Sequence, residues 1–222
     1  MMSGHLDLER TLTAKVCGLA RAVDVAAAVE AGADFAGFVS YPRSPRHLGD
    51  AEIVTLAARL QGTATRGVLV TVDRPRLDVE RVLERARLGH VQLCGSEDPA
   101  EWGSAPFAVF RRVGADADAC AEISAWAGVA DAFVLDHPTS PGGSGQRVSV
   151  EHVLPALAEG RCMLAGGLTA KVLEEGLDPR LTAAGLVGVD ASSGLESSPG
   201  EKNAGAVRRF VAAAHRTPVA TR

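Results

Sequence analysis

Several places along the chain gather side chains able to do acid–base or anion-binding chemistry. The first is Lys15-Val16-Cys17-Gly18. At the end of a strand, alternation puts Lys15 and Cys17 on one face and Val16 on the other. An ammonium beside the thiol favours the thiolate, which would make Cys17 a base or nucleophile. A buried structural cysteine is the competing reading. The second place is Asp136, which closes the apolar run Ala132-Phe133-Val134-Leu135 just before a glycine-rich stretch from His137 to Gly145. A carboxylate desolvated on one side has a raised pKa and suits general-acid work, with the capping of a turn as the alternative.

Two further places suit an anion. Ala165-Gly166-Gly167 and Asp190-Ala191-Ser192-Ser193-Gly194 offer close backbone approach, N–H donors and hydroxyls. Neither matches a P-loop or G-x-G-x-x-G, yet at the ends of two adjacent strands they would form a phosphate site. Arg43 and Arg46 lie in a loop stiffened by Pro42 and Pro45. Guanidinium groups held there suit a carboxylate ligand; simple solvation is the alternative.

These residues need a frame, and the apolar pattern supplies it. Short apolar runs at 13–17, 34–39, 67–72, 90–93, 107–113, 132–136, 162–165 and 186–190 read as strands. Alanine-rich amphipathic stretches at 23–31, 50–60, 77–87, 116–127, 151–158, 169–175 and 204–215 read as helices, with only a short one at 96–102. Strands alternating with helices imply a parallel sheet, and eight such units fit a single compact α/β (β/α)8 barrel. The long loops at 40–49 and 137–149 both follow strands, so both belong to the face where such barrels keep their chemistry. The second loop reads equally as a lid or as a flexible connection.

Composition narrows the functional classes. In 222 residues, 46% hydrophobic, there is material for one substantial core, and no linker divides the chain. The expected layout is an extension at 1–12, a barrel domain at 13–216 and a tail at 217–222. With 23 Lys+Arg against 27 Asp+Glu and a net charge of −4, a nucleic-acid partner is not expected. The cysteines at 17, 94, 120 and 162 are far apart with no histidine at ligand spacing, so neither a metal site nor a disulfide framework is expected. No apolar run approaches a membrane span, no export signal is recognisable, and a reducing cytoplasm is the expected compartment.

Taken jointly, Lys-Val-Cys-Gly at 15–18, Ala-Gly-Ala-Asp-Phe-Ala-Gly-Phe-Val with Ser-Pro-Arg across 31–46, Gly-Gly-Ser-Gly at 142–145, Leu-Ala-Gly-Gly-Leu at 164–168 and Val-Asp-Ala-Ser-Ser-Gly-Leu-Glu at 189–196 are similar to the phosphoribosylanthranilate isomerase family of tryptophan biosynthesis. The resemblance spans about residues 13–214 in the family's order. It implies an Amadori rearrangement of a small phosphoribosyl substrate without any cofactor, in a monomer or homodimer. By that resemblance Cys17 is the general base and Asp136 the general acid, and Arg46 contacts the anthranilate carboxylate. Gly166, Gly167, Ser192 and Ser193 cradle the phosphate, and Asp190 lies beside the sugar. The chain departs from the family at Cys94, where a histidine is usual, and at Ser40, where an aromatic is common; the second change implies a looser pocket wall. A dual-specificity histidine/tryptophan sugar isomerase and a silent phosphoribosyl-binding paralogue are the rival readings. The first uses an aspartate where Cys17 stands, and the second does not need the Cys17 and Asp136 pair.

Overall fold

A computed structural model of the chain describes residues 11–138 and 148–220. The Gly142–Gly145 segment, most of the 1–12 extension and the last two residues of the tail lie outside these. Eight strands close into one barrel: β1 Thr13–Val16, β2 Phe35–Ser40, β3 Arg66–Thr71, β4 His90–Leu93, β5 Ala108–Gly114, β6 Ala132–Asp136, β7 Cys162–Leu164 and β8 Gly188–Ala191. All neighbouring strands are parallel, and β1 pairs with both β2 and β8, which seals the ring. The expected (β/α)8 barrel is therefore the fold.

The helices on the outside are α1 Ala22–Glu30, α2 Asp50–Ala57, α3 Arg76–Ala86, α4 Ala119–Ala125, α5 Val150–Glu159, α6 Ala170–Glu175, α7 Pro179–Ala183 and α8 Ala204–Ala214. They are not distributed one per strand. Only a 3-10 turn, Pro99–Glu101, follows β4, whereas both α6 and α7 follow β7. α7 was not expected from the sequence, because five residues carry no amphipathic period; it is started by Asp178, whose side chain accepts from Arg180 N–H, and by Pro179 at its first position. α4 is shorter than the 116–127 expectation because Asp116 turns the chain first, its carboxylate accepting from Asp118 N–H at 3.0 Å. Past the 3-10 turn Ser193–Leu195, β9 Glu196–Ser198 and β10 Glu201–Lys202 form a small hairpin that the sequence also gave no sign of.

Strand alternation divides the core in two. Ala14, Val16, Phe38, Leu69, Val91, Leu93 and Leu135 point outward and pack against the alanine-rich helices, whose small side chains allow close approach. Phe35, Val39, Val68, Val70, Phe110, Ala132 and Met163 point inward. At the floor of the barrel Phe35, His90 and Phe110 meet edge to face, with ring centroids 5.2 to 5.6 Å apart, and the Arg66 guanidinium lies 4.2 Å from the Phe35 ring centre. Burial pushes the His90 imidazole down to about 4, and the Arg66 charge acts in the same direction, so it is neutral at physiological pH.

The same face carries an ion pair tying α8 to the barrel. Asp34 Oδ2 accepts from Ala14 N–H and lies against His215 Nε2, both at 2.8 Å. Burial alone would raise the Asp34 carboxyl, but His215 and the Ala14 N–H hold it below its ordinary 3.8; Asp34 in turn raises His215 above its ordinary 6.5. The Asp34 contribution is present above 3.8 and fades as pH falls through its lowered folded value, while that of His215 is present below 6.5 and fades as pH rises through its raised one. His215→Gln is therefore expected to lower stability by about 0.5 kcal/mol at pH 5, after allowance for solvent screening, and by less at pH 9. Urea unfolding of both proteins at the two pH values checks this.

Candidate active site

All the strand ends singled out in the sequence meet at the C-terminal mouth of the barrel. A cavity of about 440 Å³ there is lined by Cys17, Arg46, Asp136, Gly166, Gly167, Asp190, Ser192 and Ser193. That is a volume suited to a small organic ligand.

Cys17 follows the last residue of β1, its N–H donating to Ala191 O at 2.9 Å. Lys15 is two residues below on the same inward face, as alternation requires. There the ammonium is fully buried and bonded to Asp190 Oδ2 at 3.0 Å. Burial works against the Lys15 charge, but Asp190 and Cys17 more than offset it and raise its pKa. The thiol does not shift the way the sequence suggests. Burial pushes the Cys17 pKa up, and the pull of Lys15 and Lys202 in the other direction does not overcome it, because Asp190 counters their charge.

Gly37 explains why the thiol fits. The glycine stands on β2 beside Cys17, and a Cβ built on it would lie 2.9 Å from Cys17 Sγ and 3.1 Å from Cys17 Cα. The Gly in Phe35-Ala36-Gly37-Phe38 is thus the space that Cys17 occupies.

Asp136 behaves as expected. Burial raises its pKa, and the His137 N–H, which donates to Oδ1 at 2.8 Å, and the nearby Arg112 charge offset this only in part. Asp190 Oδ1, the carboxylate oxygen not used by Lys15, is buried without a hydrogen-bond partner. A ligand hydroxyl would satisfy it.

On the β7 and β8 side, Gly166 and Gly167 both have positive φ, 77° and 64°. No described group accepts a hydrogen bond from either backbone N–H. Both glycines line the cavity, and their positive φ is a conformation that glycine adopts without strain. Ser192 opposite is braced by Lys202, whose Nζ donates to Ser192 O at 3.1 Å.

Arg46 is neither solvated nor free. It is buried, and its Nε and Nη2 donate to the two carboxylate oxygens of Glu196 at 2.7 Å each. Glu196 also accepts from Lys202 Nζ at 2.6 Å. Burial would raise the Glu196 carboxyl, but these two cations hold it below the ordinary carboxylate range. Glu196, Lys202, Arg112 and Gln92 belong to the site or its support and were not singled out from the sequence. Glu196 closes a quoted motif and could have been found there; Lys202 sits on the unforeseen hairpin and gave no signal.

Ser40 needs a correction. Its side chain points away from the cavity and accepts from Arg74 Nη1 at 2.7 Å. Its neighbours Val39 and Tyr41 line the cavity instead, since alternation turns the odd positions inward. The wall is not loosened at Ser40, and Tyr41 supplies an aromatic. Cys94 does line the cavity; burial pushes its thiol up to about 12, and Gln92 Nε2 lies 3.5 Å from its sulfur. Such a thiol is neutral and unreactive at physiological pH. Among the described residues no cluster of side chains could hold a metal ion, and no helix is long and apolar enough to cross a membrane.

A sequence model of the family described as N-(5'-phosphoribosyl)anthranilate isomerase matches residues 14–213. The protein of that name from Nitrobacter winogradskyi is 36% identical over 214 residues, covering 92% of this chain and 93% of its own. The one from Paracoccus denitrificans is 36% identical, covering 91% and 97%. Among solved structures, the phosphoribosyl anthranilate isomerase of Thermus thermophilus superimposes with a TM-score of 0.76 at 30% identity, over 91% of this chain and 98% of that one. A structure of such an isomerase with reduced 1-(o-carboxyphenylamino)-1-deoxyribulose 5-phosphate shares the fold, with a TM-score of 0.74 at 24% identity over 91% and 98%.

Gly37→Ala tests the packing at the mouth. The added methyl collides with both the thiol and the backbone of Cys17, so a loss of about 1–3 kcal/mol is expected. The double variant with Cys17→Ala should recover part of it, because only the sulfur contact is relieved. Chemical denaturation of the wild type, both single variants and the double variant closes the cycle.

Proposed function

The chain belongs to the N-(5'-phosphoribosyl)anthranilate isomerase family, and we propose that its cavity performs the isomerisation with Asp136 as general acid and Cys17 as general base. It is an isomerase of tryptophan biosynthesis, as its relatives are. The observation that carries the proposed roles is the position of the two groups. β1 and β6 bring a thiol and a protonatable carboxyl to one cavity from different sides, with an unpartnered Asp190 oxygen beside them.

The steps follow from that placement. The phosphate of N-(5-phosphoribosyl)anthranilate sits on the backbone amides of Gly166, Gly167 and Ser193 and on the Ser192 and Ser193 hydroxyls. Asp190 Oδ1 accepts from a sugar hydroxyl. Asp136 gives its proton to the furanose oxygen while the anthranilate nitrogen lone pair forms the C1–N double bond, opening the ring. The resulting iminium makes the C2 proton acidic, and the Cys17 thiolate removes it to give an enolamine. Return of that proton to C1, with the C2 hydroxyl proton passing to the Asp136 carboxylate left by ring opening, yields the ketone, 1-(2-carboxyphenylamino)-1-deoxyribulose 5-phosphate. No atom or electron is gained or lost, and no cofactor enters a step. Arg46 contributes charge at the mouth, while its Nε and Nη2 edge stays on Glu196. A cytoplasmic monomer or homodimer belongs to the same proposal, supported by four cysteines that form no disulfide.

Cys17→Ala is expected to abolish turnover of phosphoribosylanthranilate generated in situ, followed by loss of its fluorescence, while the reduced product analogue still binds. Asp136→Asn should keep its folding transition and lose at least about 100-fold in kcat. Undiminished turnover in Cys17→Ala overturns these roles. Analogue binding by a wild type that shows no turnover would instead mark a phosphoribosyl-binding protein.

The pKa directions give a second test. The working form needs Asp136 protonated and Cys17 ionised, although Asp136, raised from 3.8, is the stronger acid and Cys17, raised from 9.0, the weaker. Between the two values, loss of the Asp136 proton and gain of the thiolate cancel with rising pH, so kcat/KM is flat. It falls on the acid side below the raised Asp136 value and on the alkaline side above the raised Cys17 value. A pH profile corrected for titration of the substrate phosphate should show an alkaline limb above pH 9; a limb placing the base near pH 7 would contradict this order.

A further inference from the structure

We propose that the end of the barrel opposite the mouth carries a second anion site, in which Arg66 and Arg87 hold a small tetrahedral dianion of the size of inorganic phosphate. A cavity of about 140 Å³ opens there, lined among others by Gln61, Thr65, Arg66, Arg87, Gly89 and His90. None of these residues lines the cavity at the mouth, so the proposal is independent of the isomerase chemistry. The order of elements explains the gathering. Gln61 and Thr65 lie between α2 and β3, and Arg87 and Gly89 lie between α3 and β4, so two neighbouring connections arrive at the floor together. β3 and β4 pair with Val68 opposite His90, and alternation puts Arg66 two residues below Val68 on the same inward face.

The two guanidinium groups have donors to spare. Arg66 is half-buried and lies 4.2 Å from the Phe35 ring centre. A cation–π contact uses the face of the guanidinium plane and leaves its N–H edge available. Among the described residues nothing accepts a hydrogen bond from that edge and no carboxylate pairs with it. Burial pulls the Arg66 pKa below its ordinary value, and the attraction of Asp34, whose Oδ2 is already on Ala14 N–H and His215, does not restore it. Arg87 is exposed and ends α3 at φ 54°, in the left-handed region that glycine occupies without strain. A long cationic side chain on a backbone conformation that costs energy points to a use for that side chain. Its guanidinium and the Thr65 hydroxyl also lack a partner among the described residues. Gly89 has nothing within 4 Å of where a Cβ would stand, so a ligand can come close to the backbone there. No carboxylate lines the cavity among the described residues. Asp131, which acts on His90 through space, has its Oδ2 on Val109 N–H at 2.7 Å. Two positive charges facing one cavity match a dianion, whereas a monocarboxylate would leave one of them uncompensated. The volume is well below the roughly 300 Å³ at which sites for larger organic ligands begin, which favours an inorganic oxyanion over a nucleotide.

The test is an NMR titration of the isotope-labelled protein with inorganic phosphate, sulfate, acetate and chloride at matched ionic strength. The backbone amides of Thr65, Gly67 and Gly89 report on the floor, and those of Gly166 and Ser193 report separately on the mouth. Phosphate and sulfate should each shift the floor amides along a saturable curve, with acetate and chloride weaker by at least about 10-fold. Arg66→Gln should weaken phosphate at the floor by about 10- to 100-fold, the range for a charge-assisted hydrogen bond out of water. The exposed Arg87→Gln should weaken it by about 2- to 5-fold. Arg66→Lys should recover part, since an ammonium restores charge without the fork. Lys171→Gln, which removes an exposed cation from α6, should change nothing at the floor. Matched thermal transitions without phosphate establish that the variants are folded, and Arg87→Gln, on the surface, keeps the test open where Arg66→Gln does not fold. Floor shifts that grow linearly without saturation, that follow chloride or acetate as closely as phosphate, or that survive unchanged in the arginine variants overturn the proposal.

Discussion

The buried bond between Lys15 and Asp190 joins the first strand of the barrel to the last, and the rest of the site is built around it. Both groups are out of water, so neither can be neutralised by solvent, and removing one would leave the other uncompensated at a cost of about 3–5 kcal/mol. The pair works at the seam where β1 docks on β8, holding Lys15 opposite Asp190 in the ladder. That register puts Cys17 at the rim, one alternation above, and leaves the second oxygen of Asp190 buried without a partner. The pair therefore fixes where a thiol and an open acceptor stand relative to one another. Burial first, and then the Asp190 charge beside the ammonium, explain why a lysine two residues from a cysteine fails to make that cysteine acidic.

A second set of charges serves the other half of the mouth. Glu196 takes Arg46 on one side and Lys202 on the other, and Lys202 reaches on to Ser192. The loop after β2, the turn after β8 and the hairpin β9–β10 are thereby fastened to one carboxylate. Loops with no shared ladder gain a common reference, and the serine turn opposite Gly166 and Gly167 is held where an anion would meet both.

What could be read from the sequence follows from which interactions are local. Cys17, Asp136, Gly166 and Ser192 were legible because a strand end announces itself by alternation, and a glycine pair by the conformations only it tolerates. The barrel was legible for the same reason, as a repeat of one short unit. The pairing of Arg46 with Glu196 was not legible, because the two residues lie 150 positions apart in the chain. Ser40 was placed on the wrong wall because one step of alternation decides inside from outside, and the strand's phase there depends on pairing with β3. Arg111 and Arg112 look identical in a string of letters, yet one is structural and the other faces the cavity. α7 and the short hairpin left no trace, since capping and a two-residue strand have no period to detect.

The aromatic floor gives the barrel a direction. Phe35, Phe110 and a neutral His90 fill the end opposite the mouth with ring contacts, and the Arg66 guanidinium lies against the Phe35 ring there. None of these rings lines the cavity at the mouth, so among the described residues that cavity opens at the mouth end. A ligand that enters phosphate-end first must leave the other way round, and no second molecule can queue behind it from below. Substrate and product are thus rivals for one doorway, and the rate at which the well empties limits how soon it can be filled again.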